Sequence, residues 1–115
     1  FLRKERGQLQ KTNINIKEQS LAIDQMQRDL KYNVTAALNT WEITTQQMSG
    51  YSDIVNSTDR LLEAERMKFD TGESSLFLVN AREQKYIETQ VKFVDLLIKS
   101  QKAVMDIEYQ LGRLN

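Results

Sequence analysis

The 115-residue chain has no histidine, no cysteine and no proline, and only four glycines. Each absence excludes something. Without His and Cys there is no ordinary general base, no thiol nucleophile and no soft ligand set for zinc or iron. Carboxylates remain, but neither a glycine-rich phosphate loop nor a paired-acid motif accompanies them. The sequence therefore predicts no enzyme, no metal site and no cofactor. Missing cysteine is compatible with every redox compartment. Sixteen basic residues balance sixteen acidic ones, which leaves no electrostatic footprint for nucleic acid and no net attraction to a membrane surface. No run approaches the ~18 apolar residues of a membrane-spanning helix, and no signal-peptide pattern is recognisable. The chain opens on Phe1 and closes without a tail, as expected of a segment from a longer protein. Proline, on average about one residue in twenty, is missing altogether, which predicts long uninterrupted helix. Strand-like alternation bounded by turn residues is not found.

What is present is apolar periodicity. Leu9, Ile16, Ile23, Leu30 and Ala37 stand seven apart, and a second line runs through Val34, Trp41, Met48, Val55, Leu62 and Phe69. The four-residue step from Leu30 to Val34 is a stutter, which lets the stripe follow a helix with little supercoil. Residues 4 to 70 read as one helix, about 100 Å long at 1.5 Å per residue. A second run carries Val79, Tyr86, Phe93, Ser100, Ile107 and Leu114 in sevens. Beside it lie Val91, Ile98 and Met105, and also Leu97, Val104 and Leu111. Three lines cover more than one face, so the helix predicted over 75–114 has more than one partner.

Between the runs stands Thr71-Gly-Glu-Ser74. Gly72 suits the left-handed position that closes a helix. Ser74 or Ser75 can cap the next helix, and Glu73 lies favourably near its positive end. The expectation is a single all-α unit over 1–115, a long antiparallel, coiled-coil-like hairpin turning over 71–74. Its seam is expected along Val34, Trp41, Met48, Val55 and Leu62, facing Phe93, Leu97, Val104 and Leu111. Folding at Gly72 exhausts the second helix near Val34. Leu9, Ile16, Ile23 and Leu30 then form an apolar stripe about 30 Å long with no partner, a surface that water does not favour. An isolated hairpin is therefore expected to self-associate, and other helices must complete it.

The Phe-Leu-Arg-Lys-Glu-Arg-Gly7 start, the very long helix, Phe69-Asp-Thr-Gly72-Glu-Ser-Ser75, Val79-Asn-Ala-Arg82 and the close on Leu111-Gly112 together resemble the C-terminal repeat of TolC-like outer-membrane efflux proteins. The resemblance covers essentially the whole chain. It implies a homotrimeric α-barrel in the bacterial periplasm, continuous with an outer-membrane β-barrel that lies outside this chain. The assembly would be a passive exit duct served by an inner-membrane pump. Phe1 and Leu2 would leave the last barrel strand. Thr71, Gly72, Glu73 and Ser74 would form the periplasmic tip that docks the adaptor (membrane fusion protein). The chain departs from well-studied members at several points. Glu73 replaces a hydrophobic residue, and Phe69, Leu78 and Ala81 stand where those members narrow the entrance with a Tyr and acids, so that polar gate does not carry over. The spacing from Gly72 to Asn80-Ala81 is one residue shorter.

Two other roles fit the same residues. A structural coiled-coil interaction segment would need helical or linker-like sequence before Phe1, whereas a duct would need amphipathic strands there. An adaptor-protein hairpin would have arms of matched length, unlike the ~67 and ~40 residues read here. Between Tyr32 and Thr58 the only charges are Glu42 and Asp53, a surface suited equally to a duct wall and to a solvated helix.

Overall fold

The computed structural model describes residues 2–112. Two helices account for nearly all of them: α1, Leu2–Asp70, and α2, Leu76–Gly112. They fold back on each other into a rod of 105 × 19 × 17 Å. Helix α1 already includes Leu2, so the strand exit expected there is not seen; Phe1, and Leu114 at the other end, lie outside the described residues.

One cross-helix hydrogen bond fixes the register. The hydroxyls of Thr58 and Thr89 meet at 3.1 Å, so Gly112 stands level with about residue 35 of α1. Everything before Leu30 projects past α2, and every described side chain there is exposed.

The seam is narrow and unusually polar. Its buried positions on α1 are Ala37, Thr44, Thr58, Leu62 and Glu65; on α2 they are Val79, Thr89, Leu96, Ser100, Ala103 and Gln110. Most are small, which lets the two backbones approach closely. Buried hydroxyls need partners, and these find them on their own helices. Thr44 donates to the Thr40 carbonyl at 2.8 Å, Thr89 to Tyr86 at 2.8 Å, and Ser100 to Leu97 at 3.0 Å. Bonding back one turn satisfies the Thr44 and Ser100 hydroxyls without a partner across the seam, while Thr89 also meets Thr58 there.

The expected seam needs correction at three positions. Leu62 is buried, and Val34, Met48, Val55, Phe93 and Leu97 are half-buried, with Val55 and Phe93 lining one hollow. Trp41, Val104 and Leu111 are exposed. A single partner helix covers only a strip of each helix, and here that strip follows Ala37, Thr44, Tyr51, Thr58 and Glu65. This is the continuation of the Leu9-to-Ala37 line rather than of the line through Trp41.

Candidate functional site: the hairpin tip

The tip is built by a helix stop and a helix start placed five residues apart. Gly72 has φ 81°, a conformation that costs other L-residues roughly 1–2 kcal/mol. The Gly72 N–H donates to the Phe69 carbonyl at 3.0 Å, and the Glu73 N–H donates to Lys68 at 2.8 Å. This crossed pair is the Schellman arrangement, which satisfies the last carbonyls of α1. The Thr71 hydroxyl adds a third bond, to the Lys68 carbonyl at 3.0 Å. Ser75, not Ser74, caps α2: its hydroxyl accepts from the Leu78 N–H at 3.3 Å. The Ser74 hydroxyl is turned inward and has no hydrogen-bond partner.

Directly above the turn, one cation ties the helices together. Arg66 of α1 reaches Glu83 of α2 at 3.2 Å and Glu63 one turn back at 2.9 Å. The bond to Glu83, and secondarily Glu63, raises the guanidinium pKa above its ordinary value. The three side chains keep 40–58% of their surface in water, so the pair orients the helices more than it stabilises them.

Thr71, Gly72 and Glu73 are all exposed. Around them stands a feature that sequence reasoning missed. Met67, Phe69, Leu76, Phe77 and Leu78 are all exposed, Phe77 at 79%. They form an apolar cuff behind a polar turn. The signal was in the run Leu76-Phe-Leu-Val79: four apolar residues in succession cannot all face one partner helix, and only Val79 is buried. Exposed apolar clusters of this kind mark contact surfaces. At the same end, the N–H groups of Leu76 and Phe77 belong to the first turn of α2 and have no acceptor within the helix.

Among the described residues no cluster of three or more acidic side chains is placed to hold a metal ion. No helix there is long and apolar enough to cross a membrane. No protein-family model, curated protein or solved structure matches the chain.

Gly72 should be sensitive for conformational rather than steric reasons, since a Cβ added there meets nothing within 4 Å. Gly72→Val is expected to lower hairpin stability by about 1–2 kcal/mol, and Gly72→Asn by less, because Asn tolerates the left-handed region. Urea melts followed by circular dichroism would check this order. Equal losses for the two variants would mean that φ is not the governing factor.

Proposed function

We propose that this hairpin is a segment of the wall of an outer-membrane export duct in the bacterial periplasm. In this reading it is part of a homotrimeric α-barrel, and its Gly72 end docks a periplasmic adaptor coupled to an inner-membrane pump. One observation carries the reading: the hairpin leaves far more apolar surface open than it closes. Its seam buries five apolar side chains, while Ile43, Ile54, Leu61, Ile87, Val94 and Ile98 remain exposed along its flanks. A helix in a wall has a neighbour on each side, so apolar stripes on more than one face are what such a wall requires. The overhang before Leu30 fits the same plan, with room beside it for a further helix.

The role is passive. A chain without His or Cys offers conduction and docking surfaces rather than chemistry, and the energy for export is supplied by the pump. Docking at the tip is supported by the exposed turn Thr71–Glu73, by the free N–H groups of the first turn of α2, and by the apolar cuff around Phe77.

An exposed aromatic anchor is the kind of residue whose loss removes 2 kcal/mol or more of binding, upwards of tenfold in affinity. In the full-length protein, Phe77→Asp is therefore expected to reduce export about tenfold or more, with trimer assembly and outer-membrane insertion retained. Unchanged export would remove the tip from the docking surface. Loss of the trimer itself would make Phe77 a packing residue instead.

A further inference from the structure

The flanks of the hairpin carry two exposed, largely apolar stripes outside its buried seam, one on each helix. On α1 the stripe steps by alternating fours and threes through Ile43, Gln47, Gly50, Ile54, Ser57 and Leu61; on α2 it steps through Ile87, Val91, Val94, Ile98, Gln101 and Met105. All twelve residues are exposed, and none is charged. This is the spacing of a coiled-coil seam, about 30 Å long at 1.5 Å per residue.

We propose that the α1 stripe of one copy of this chain receives the α2 stripe of a second copy, antiparallel and in a single register. That register sets Ile43 opposite Met105, Gln47 opposite Gln101, Gly50 opposite Ile98, Ile54 opposite Val94, Ser57 opposite Val91, and Leu61 opposite Ile87. Three features select it. Each stripe has one amide, and only this register places the two together; a slip of one heptad separates them and sets one of the two against an aliphatic side chain, Gln101 against Ile54 or Gln47 against Val94. A lone polar residue at a core position commonly fixes register in this way. Secondly, Gly50 and Ser57 lie opposite the β-branched Ile98 and Val91, so small faces large as close packing requires. A Cβ at Gly50 would meet nothing within 4 Å in the isolated hairpin, so this position is open to a neighbour.

The third feature is height. Inside the hairpin Thr58 is level with Thr89, which puts Ser57 level with residue 90. Between copies Ser57 is level with Val91, a difference of one residue, about 1.5 Å. Neighbouring hairpins therefore stand side by side with almost no axial step. The contact uses different faces of the two copies, and a repeated contact of that type without a rise leads to a closed ring rather than a filament. This goes beyond the duct reading, which requires lateral neighbours but does not say that a copy of this hairpin is one of them.

The absence of cysteine allows a clean test. Ser57→Cys and Val91→Cys variants of the chain are purified separately, checked for full helicity, mixed, and oxidised mildly. The mixed disulfide is expected to exceed both homodisulfides by at least tenfold. Ile54→Cys with Val94→Cys should behave alike, whereas Ser57→Cys with Ile98→Cys, one heptad out of register, should not. Homodisulfides in excess, or no preference between the registers, would overturn the proposal. Because this test is run in solution without a pump or adaptor, its failure would leave the export experiment on Phe77 standing on its own.

Discussion

Leu62→Ala is expected to destabilise the hairpin by about 2–5 kcal/mol, the range for truncating a buried leucine, whereas Trp41→Ala should remove only about 1 kcal/mol or less. The order is the reverse of what side-chain size suggests. Leu62 is buried in the seam at 4% exposure; Trp41 is 41% exposed on its flank. The seam has few apolar residues to share the loss, so a cavity at Leu62 removes a large part of the contact. Chemical melts of the two variants, monitored by helicity, would decide. If Trp41→Ala proves the costlier change, the tryptophan is covered by something other than α2, such as a second copy.

The other large effect concerns association. The chain has a mass of 13.4 kDa and is expected to sediment as a multiple of it. Leu9, Ile16, Ile23 and Leu30 lie on one face of the overhang, the first three of them more than half exposed. Burying each against a partner is worth roughly 1.5–3 kcal/mol. Ile16→Lys combined with Ile23→Lys should therefore weaken association through the overhang by two orders of magnitude or more. It should leave unchanged the lateral cross-links at Ser57 and Val91, which lie some 50 Å away along the rod. A wild-type chain that stays monomeric at high concentration, with full helicity, would contradict this.

The hairpin itself was legible in the sequence because its signals are local. Missing proline, two runs in sevens and a glycine followed by serines are sufficient to place the break. Helix α1 ends at Asp70 and α2 begins at Leu76. The choice of seam was less legible. The eye follows the largest side chains, which favours the line through Trp41. Two helices in close contact instead place small residues between them, so Ala37, Thr44, Ala103 and Ser100 are buried while Trp41 and Val104 border the contact. Hydroxyls that bond back to their own helix also hide from a pattern based on hydrophobicity; Thr44, at 2% exposure, is the most buried of the core residues. At the tip, the turn residues were visible as turn chemistry. The cuff of Leu76, Phe77 and Leu78 was not, because a short apolar run reads as core until the partner helix is in place.

The proposed function makes the Gly72 turn the end of the rod that meets an adaptor in the periplasm, and a photo-crosslinking residue in place of Glu73 tests that most directly. In living cells bearing the full-length protein, light is expected to join this position to the helical hairpin of a periplasmic adaptor. The same residue placed at the exposed Lys99, well up α2 from the tip, should give adducts only within the duct assembly. Adducts from Glu73 that contain only other copies of the chain, or only cytoplasmic proteins, would contradict the account.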